Sequence, residues 1–383
     1  MVRFGVIGVG NMGRSHIKNF MANKFENGCL TAVCDIRADR LKWMDDNGYD
    51  EIKQFDEAEK LITSGLVDAV LIATPHYFHP EIAKTAFANG LSVLCEKPAG
   101  VYTKQVREMN AAAEKSDKVF GIMYNQRTNP TYRRVRELIE QGELGTLIRA
   151  VWIITKWYRP QAYHNSSDWR STWKGEGGGA LINQCPHQLD LWQWMFGMPE
   201  RLRAFIGFGK HHDIEVEDDV TTYMEYKNGM SGVFITCTAE TPGTNRLEIA
   251  GTRGRLIVEN SRISFDRTTV DEKEFNKTNK YPFGQPEIWK CELPFDGSSG
   301  PQHIGITQNF INAIENGEKL IAPGEEGLLG LTISNSMHLS AWKDEWIYPA
   351  ALNEDEFYSV LQDKIKNSKI EKKVEENIAN LTW

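Results

Sequence analysis

The sequence predicts an α/β protein with two main domains: an N-terminal doubly wound parallel sheet, and a C-terminal α+β domain with a large open, mostly antiparallel sheet. Up to residue 113, short apolar strands alternate with helical stretches at the spacing of βαβ units, which indicates a parallel sheet. From residue 148 onward, six strand-like segments follow one another, separated by turn signals such as KNG at 227–229 and TRG at 252–254. A length of 383 residues suits about two domains.

Composition and charge exclude several classes of protein. Hydrophobic residues make up 41% and charged residues 25% of the chain, as in ordinary globular proteins. The net charge of -8 and the lack of a basic run argue against nucleic-acid binding, and no apolar stretch approaches the roughly 20 residues of a membrane span. The first predicted strand begins almost at Met1, so we expect no signal peptide. The six cysteines form no CxxC pair, so we expect reduced cysteines, a cytoplasmic location and no metal site.

The first strand leads into a glycine motif that predicts a Rossmann-type dinucleotide-binding loop. Residues 3–8 read as a buried strand, residues 8–13 read GVGNMG, and residues 14–23 have a helical pattern. In such a unit the first glycine makes the tight turn, the second lets a pyrophosphate approach the backbone, and the third lets helix and strand pack closely. The unpaired N–H groups at the helix start then face the anion. The expected cofactor contacts of this loop are Gly8, Gly10, Asn11, Met12 and Gly13.

The second predicted strand ends in Asp35. A carboxylate at this point can accept both hydroxyls of the adenosine ribose and repels a 2′-phosphate, so the sequence favours NAD over NADP. Arg37 and Arg40 follow closely and could instead bind a 2′-phosphate. The alternative interpretation of Asp35 is a cap for the helix predicted at residues 38–46. Further along, a short helix is predicted to start with Asp56 as its N-cap.

Two further predicted strands end in polar residues at the same edge of the sheet. Pro98 cannot donate to a sheet ladder, so the second of these strands stops at the Glu96–Lys97 pair. In an open parallel sheet this edge faces the ligand crevice. The pair alternatively forms a surface ion pair in a loop, and His79 alternatively caps or packs a turn. The expected cofactor contacts from this edge are Thr74, Pro75, His76, His79, Glu96 and Lys97.

The rest of the chain is predicted to complete the first sheet and build the second domain. The later strands of the first sheet are expected at residues 67–73, 91–95 and 119–124, and the strands of the second sheet at 148–157, 203–209, 220–226, 230–238, 246–251 and 255–259. Helices are expected at residues 131–141, after the glycine run 177–179, and at 303–316 and 325–342, the last packing back toward the first domain. One face of the second sheet should carry helices and the other should be bare. The predicted domains are residues 1–124, residues 125–350 and a charged tail, 351–383, that forms a surface helix or an arm on a neighbouring subunit.

Four motifs occur in order over almost the whole chain: the GVGNMG loop, EKP at residues 96–98, YNQR at 124–127, and the run from the three glycines to Asp190. Together they resemble the glucose–fructose oxidoreductase/inositol dehydrogenase (Gfo/Idh/MocA) superfamily, and the combination of EKP with the glycine run is the specific part. The resemblance implies an NAD(P)-dependent enzyme that oxidises a ring hydroxyl of a sugar, sugar derivative or inositol, or reduces the ketone. It also implies a homodimer or homotetramer formed through the C-terminal sheet.

The resemblance implies roles for individual residues as well. Lys97 would be the active-site lysine beside the nicotinamide, and His187 the acid–base histidine, which alternatively packs under the glycine turn. Asn183 precedes His187 by one helical turn and stands where many members of the family carry aspartate. An asparagine can orient a hydroxyl but cannot take a proton, so more of the acid–base work would rest on His187 and Lys97. Asn125, in the YNQR motif, is expected at the cofactor.

The chemistry of the reaction supports the two catalytic roles independently. Loss of a hydride from a carbinol carbon leaves a proton to remove, and a base does this best when its pKa lies near the working pH. A histidine meets that condition with little tuning. A lysine acts as a base only when burial and the cationic nicotinamide lower its pKa, whereas a lysine that stays charged steadies the alkoxide.

An aromatic-rich stretch precedes the glycine run. Sugars present apolar C–H faces that stack on aromatic rings, but aromatic residues are also ordinary core material. One or two of the six aromatic residues in this stretch are therefore expected at the substrate. The neighbouring Arg159 and Arg170 could bind hydroxyls or a carboxylate. Arg127 is expected to contact substrate or to orient the region of Lys97, and alternatively to form a salt bridge at the domain interface. The six aromatic residues are Trp152, Trp157, Tyr158, Tyr163, Trp169 and Trp173. The expected substrate contacts are Lys97, Arg127, Trp169, Arg170, Asn183 and His187.

Two other functions stay open on the sequence alone. One is a redox-neutral enzyme of the same family that cleaves a glycoside: it oxidises the sugar, eliminates the aglycone and reduces the product again with retained NAD. The other is a non-catalytic regulator that senses a nucleotide, and the presence of both Lys97 and His187 argues against it.

Overall fold

The computed structural model describes residues 1–293 and 298–371. They form two compact units: residues 1–128 with 300–331, and the described residues of 129–299 and 332–383. The predicted limits of 1–124, 125–350 and 351–383 differ from this division, because residues 300–331 return to the first unit. No helix in the described ranges combines the length and the apolar character that crossing a membrane requires.

The first unit contains a six-stranded parallel sheet. Its strands are β1 (Val2–Ile7), β2 (Gly28–Cys34), β3 (Lys53–Phe55), β4 (Ala69–Ile72), β5 (Ser92–Cys95) and β6 (Phe120–Ile122). Their order is β3-β2-β1-β4-β5-β6, and every pair of neighbours is parallel. In such doubly wound sheets the ligand crevice opens at the carboxyl ends of the strands where the order reverses, here between β1 and β4. The predicted Rossmann sheet is therefore confirmed.

Helices alternate with the strands of this sheet, as the sequence predicts. They are α1 (Asn11–Met21), α2 (Ala38–Asp46), α3 (Ala58–Ile62), α4 (His79–Ala88) and α5 (Thr103–Ser116). Pro80 lies in the first turn of α4, where no intrahelical bond needs its missing N–H. The predicted cap at Asp56 is wrong: α3 begins after Glu57 without a side-chain cap, and Asp56 pairs with Lys60 at 3.0 Å instead. The sequence does not locate β3, because three residues are too few to show a period.

The second unit contains an eight-stranded sheet. Its strands are β7 (Leu147–Ile154), β8 (Arg201–Phe208), β9 (Glu217–Glu225), β10 (Ser231–Cys237), β11 (Asn245–Gly251), β12 (Gly254–Glu259), β13 (Arg262–Thr268) and β14 (Ile288–Glu292). The order is β14-β13-β12-β11-β7-β10-β9-β8, and only the β7–β10 pair is parallel. This confirms the predicted open, mostly antiparallel sheet. The sequence pattern does not predict β13 and β14, because charged residues interrupt both.

Helices cover one face of the second sheet. The helices of this part are α6 (Pro130–Glu140), α7 (Gln161–His164), α8 (Pro186–Phe196) and α9 (Glu272–Thr278), and a π-helical segment, Ala180–Gln184, precedes α8. Trp192 of α8 packs on Phe234 of β10 with ring centroids 5.9 Å apart, and Gly232 leaves room for the same indole. On the opposite face, Phe205 is 61% and Tyr223 is 39% exposed. The sheet thus has one buried and one exposed face, as expected.

Residues 300–331 complete the first unit. The last helices of the described chain are α10 (Gln302–Asn316), α11 (Gly327–Lys343) and α12 (Glu354–Lys366). Phe310 of α10 packs on Phe4 with ring centroids 6.1 Å apart, and the N–H of Ile122 donates to the carbonyl of Ala322 at 3.1 Å. Gly327, the first residue of α11, lies against Ile122, so this helix starts on the first unit. Of the predicted tail, α12 is helical, and residues 372–383 lie outside the described chain.

Candidate functional site

Steric limits require glycine in the first loop. Gly8 has a φ of +101°, and a Cβ there would lie 2.6 Å from the backbone oxygen of Ala73. A Cβ on Gly13 would lie 1.8 Å from the oxygen of Gly8. At Gly10, by contrast, the nearest atom outside the loop is Nη1 of Arg40, at 3.8 Å. The loop is therefore tight on the protein side and open at its middle glycine, which suits the close approach of a phosphate.

The start of α1 is a second feature that fits an anion. Gly10 is the N-cap and forms no side-chain hydrogen bond, and the first turn carries no acidic residue. The first N–H groups of a helix, here those of the turn that begins with Asn11 and Met12, have no partner within the helix. Such a helix start binds phosphate through its N–H groups and its dipole. The five predicted loop residues thus lie together at this helix start, and their contact with a pyrophosphate stays a prediction.

Asp35 connects the end of β2 to the glycine loop. Its side chain is buried, and Oδ2 accepts the N–H of Val9 at 2.8 Å. Arg40 Nη1 lies 3.4 Å from the same oxygen, and the N–H of Arg37 donates to Oδ1 at 2.9 Å. No side chain caps α2, so the alternative in which Asp35 is its cap is wrong. A 2′-phosphate would have to compete with this carboxylate for Arg40.

Thr74, after the end of β4, carries an orphaned polar atom. Its Oγ1 is buried and has no hydrogen-bond partner among the described residues. A buried hydroxyl is costly unless a ligand or water satisfies it. Thr74 also adjoins the glycine loop, since the Cβ position of Gly8 lies 2.9 Å from its nitrogen. Pro75 and the buried His76 follow, and a 3₁₀ turn, His76–Phe78, leads into α4.

His79 connects the two strand ends. The ring is buried, and Nδ1 and Nε2 lie 2.8 Å from the carbonyl oxygen of Pro98 and 2.7 Å from that of Thr74. Burial lowers the pKa of His79, although both carbonyl oxygens favour the charged ring. Because both ring nitrogens face the backbone, the geometry favours the alternative in which His79 packs the turn. Direct contact between His79 and a cofactor stays a prediction.

Glu96 is a buried carboxylate after the end of β5. Its Oε1 lies 2.7 Å from Nε2 of His16, and Oε2 accepts the N–H of the partly buried Lys97 at 3.1 Å. The ring of His303 stands 5.6 Å from that of His16. Burial alone would raise the pKa of Glu96, but the hydrogen bond from His16 and the charges of His16, His303 and Lys97 outweigh it and lower the pKa. The alternative of a surface ion pair is wrong, because Glu96 is only 4% exposed.

The YNQR motif follows β6 and forms a 3₁₀ turn, Asn125–Thr128. Nδ2 of Asn125 donates to Oε1 of Gln302 at 2.6 Å, while its Oδ1 is buried without a partner among the described residues. Arg127 is buried, and its Nη1 lies 2.6 Å from Oε2 of Glu326. This ion pair agrees with the salt-bridge alternative for Arg127, although both partners belong to the first unit.

Polar groups of the second unit gather around Asn183. This residue lies in the π-helical segment, and its Nδ2 donates to Oε1 of Glu176 and, at 3.2 Å, to the hydroxyl of Tyr163. Glu176 is 1% exposed, and burial raises its pKa against the opposing charge of Arg170. Nη1 of Arg170 donates to the Tyr163 hydroxyl at 2.6 Å. His187 is the second residue of α8, shortly after Asn183, and is partly buried.

The aromatic stretch divides between the core and this polar cluster. Trp152 and Trp173 are buried, at 0% and 4% exposure. Tyr163 and Trp169 flank Arg170, whose guanidinium carbon lies 4.4 Å and 4.8 Å from their ring centroids. Two of the six aromatic residues thus lie beside a predicted substrate contact.

One group among the described residues could hold a cation. The ligand atoms of His211, Asp219 and Cys237 lie within 4.8 Å of one another. The ammonium of Lys210, however, lies 2.6 Å from Oδ2 of Asp219 and already neutralises that carboxylate. The absence of a metal site stays a prediction. All six cysteines are free thiols, as expected.

Sequence reasoning missed three residues of these clusters. His16 lies on the buried side of α1, three residues after Gly13, where a polar residue on an apolar stripe is the available signal. Glu176 directly precedes the glycine run, and a charged residue beside three glycines is a weaker signal of the same kind. His303 gives no local signal, because its neighbourhood is set by the return of residues 300–331 to the first unit.

Comparisons with known proteins agree with this architecture. Residues 2–124 match the family model described as an oxidoreductase family with an NAD-binding Rossmann fold, and residues 132–257 match the GFO/IDH/MocA C-terminal domain. Trans-1,2-dihydrobenzene-1,2-diol dehydrogenase of Mus musculus is 30% identical over 242 residues, which cover 59% of this chain and 68% of that protein. Myo-inositol 2-dehydrogenase of Thermotoga maritima is 24% identical and covers 87% of this chain and 94% of its own.

A solved structure shows the same fold. The WlbA dehydrogenase of Chromobactrium violaceum, in complex with NADH and UDP-GlcNAcA, has a TM-score of 0.78 and 24% identity, covering 91% of this chain and 95% of that one. The relatives include sugar and polyol dehydrogenases. Both family models, the glycine loop and the two sheets lead to one conclusion: the chain belongs to the Gfo/Idh/MocA family of NAD-binding oxidoreductases.

Proposed function

We propose that this chain is an NAD-dependent dehydrogenase that transfers a hydride between the nicotinamide and a ring hydroxyl or ketone of a sugar, a sugar derivative or an inositol. The observation that carries the proposal is the end of β5, where the buried Glu96–His16 pair holds the backbone of Lys97. This strand end lies at the carboxyl edge of the sheet that also bears the glycine loop. Relatives such as myo-inositol 2-dehydrogenase support the substrate class.

The first unit offers the groups that a dinucleotide needs. The N–H groups at the start of α1 would hold the pyrophosphate, and Asp35 the adenosine ribose. Oγ1 of Thr74 and Oδ1 of Asn125, both buried without partners in the described chain, would bind polar groups of the rest. When bound, the nicotinamide accepts or returns the hydride. We propose NAD rather than NADP, because the Asp35 carboxylate repels a 2′-phosphate and lies within 3.4 Å of the Arg40 guanidinium.

Proton handling is assigned to Lys97 and His187. Oxidation of a hydroxyl releases a proton, which an imidazole can take at neutral pH. A lysine ammonium stabilises the substrate oxygen while negative charge develops on it. Asn183 can hold a hydroxyl by a hydrogen bond but cannot accept the proton itself.

The polar cluster of the second unit suits a small polyol. Asn183, Arg170 and Trp169 supply an amide, a guanidinium and a ring face, which bind hydroxyls and the C–H face of a sugar. Arg127 is left out of this set, because its guanidinium is buried against Glu326. The exposed apolar residues on the bare face of the second sheet support a homodimer or homotetramer formed through that sheet.

A substrate screen tests the proposal. Inositols, aldoses and uronates are offered with NAD, and the appearance of NADH is followed by its absorbance. We expect turnover of at least one of these compounds. Cleavage of a nitrophenyl glycoside without net NADH would favour the redox-neutral alternative. NAD binding without turnover of any polyol or glycoside would contradict the proposal and favour a regulator.

A further inference from the structure

Glu176 is a buried carboxylate that holds the side chain of Asn183. Its Oε2 accepts the N–H of Ser171 at 2.6 Å, and its Oε1 accepts a hydrogen bond from Nδ2 of Asn183. The Tyr163 hydroxyl lies 3.2 Å from the same amide nitrogen. Asn183 is therefore held by its nitrogen from two sides, by residues of two other segments.

This arrangement selects one orientation of the amide. An ionised carboxylate only accepts hydrogen bonds, so it distinguishes the nitrogen of Asn183 from the oxygen. With Nδ2 toward Glu176, the carbonyl Oδ1 points away, because both atoms are bonded to one planar carbon. A flipped amide would set two acceptors against each other with no proton between them. The Tyr163 hydroxyl also receives N–H groups from Arg170 at 2.6 Å and Gln184 at 3.1 Å, and since a hydroxyl oxygen has two lone pairs, the selection depends on Glu176.

Glu176 is the carboxylate available for this task. The other buried carboxylate nearby, Glu217, is engaged elsewhere: Oε1 accepts the N–H of Leu181 at 2.8 Å, and Oε2 lies 3.0 Å from Nε2 of His338. Burial raises the pKa of Glu176, while Arg170, 3.8 Å away, and the bonds from Ser171 and Asn183 favour the ionised form.

We propose that Glu176 is a positioning residue that makes Asn183 present Oδ1, rather than its amide N–H groups, to a bound polyol. The inference rests on the proposed dehydrogenase function. A carboxylate at position 183 would offer an oxygen in either orientation, whereas an amide offers one only when its nitrogen is held elsewhere. Asn183 then accepts a hydrogen bond from a substrate hydroxyl without adding a negative charge, and the proton released in the reaction goes to His187.

Moving the carboxylate from position 176 to position 183 tests the proposal. Glu176→Gln lets the amide of Asn183 turn, and Asn183→Asp sets two carboxylates against each other. Each single variant should lower kcat on the best polyol of the screen by about tenfold or more, with the KM for NAD unchanged. In the double variant, an amide N–H at position 176 again meets an oxygen at position 183. Its kcat should recover to within about threefold of wild type.

A matched control and a melting curve for each variant complete the experiment. Glu215→Gln is the control, since Oε1 of Glu215 accepts the N–H of Trp173 at 2.8 Å in the same region, and its kcat should stay normal. If Glu176→Gln does not fold, Asn183→Leu takes its place: it keeps the size of the side chain, removes both polar ends and should also lower kcat about tenfold.

Two outcomes would overturn the positioning role alone. One is a double variant whose kcat falls by the product of the two single losses, and the other is an Asn183→Leu variant with normal kcat. Both require a wild type that oxidises a polyol. A wild type that turns over none overturns the proposed function itself, and the role of Glu176 with it.

Discussion

Each unit buries one carboxylate beside the groups we assign to the reaction, and the two carboxylates differ in their partners. In the first unit, Glu96 lies 2.7 Å from a nitrogen of His16, and its pKa is lowered despite burial. In the second unit, Glu176 is bonded to a peptide N–H and a neutral amide, with the Arg170 guanidinium 3.8 Å away, and burial raises its pKa. The pKa of a buried carboxylate is therefore lower where a histidine ring lies in hydrogen-bond contact than where a peptide N–H and a neutral amide are the hydrogen-bond donors.

The largest effect on kcat is expected at Lys97, the residue of the first unit that we assign to the reaction. Lys97→Ala should reduce kcat by about 10²–10⁴-fold, because the variant loses the group that handles a proton or a developing charge. NAD binding, measured by calorimetry, should stay near that of wild type, since the glycine loop is intact. Lys115→Ala, exposed on α5, is the control. A normal kcat in Lys97→Ala would remove this residue from the reaction.

The stability of the fold should depend more on Glu96 than on Glu176. Glu96→Gln removes the charged acceptor that lies 2.7 Å from Nε2 of His16 and accepts the N–H of Lys97, and loss of a charged partner from a buried site costs about 3 kcal/mol or more of unfolding free energy. Glu176→Gln loses hydrogen bonds to mostly neutral donors, which costs about 1–3 kcal/mol. Urea unfolding measures both, with Glu114→Gln on the exposed side of α5 as the control. If the two losses are equal, the difference in partners has no energetic consequence.

Acidification should change the contributions of Glu96 and Glu176 to the unfolding free energy in opposite directions. The pKa of Glu96 lies below the ordinary value of 4.5 for a glutamate, so its stabilisation is present above pH 4.5 and is lost as the pH falls toward the folded pKa. The pKa of Glu176 lies above 4.5, so its ionisation opposes folding, and stability is gained as the pH falls from the folded pKa toward 4.5. The unfolding free energy of wild type minus that of Glu96→Gln should shrink in acid, and wild type minus Glu176→Gln should grow. Parallel slopes would contradict both assignments.

The smallest effect is expected at Asp35, in the choice between NAD and NADP. Asp35→Ser removes the charge that repels a 2′-phosphate and releases Arg40 from its 3.4 Å contact, so the ratio of kcat/KM for NADP to that for NAD should rise about tenfold. Asp46→Ser, near the end of α2, is the control. An unaltered ratio would mean that Asp35 serves the loop through Val9 and not the ribose.

Local rules predicted most of the fold of both units. Gly8 and Gly13 each meet a steric requirement that the GxGxxG pattern expresses directly, and Pro98 marks the end of β5. The elements that the pattern misses are those in which the period is too short or too polar. β3 has three residues, and β13 alternates with charged side chains. The return of residues 300–331 to the first unit depends on contacts such as Phe310 with Phe4, which no local pattern signals.

In the candidate sites, too, short motifs predicted individual residues but not their contacts with residues far away in the sequence. Lys97 and Asn183 could be named from motifs, because each stands in a short run with a defined place at a strand end or in a helical turn. Their supporting contacts could not, since His16 and Glu96 are separated by 80 positions in the sequence. Charge and burial decide such pairings, and neither is visible until the chain is folded.

The contact between His16 and Glu96 has a practical consequence for redesign. The helix that begins at the phosphate loop also carries His16, whose ring contacts the carboxylate of Glu96 next to Lys97. A graft from another nucleotide enzyme that stops at position 13 keeps His16 and its contact with Glu96. A graft that runs one helical turn further replaces His16 and leaves the buried carboxylate of Glu96 without this partner. A redesign of the coenzyme preference should therefore place its crossover point before His16.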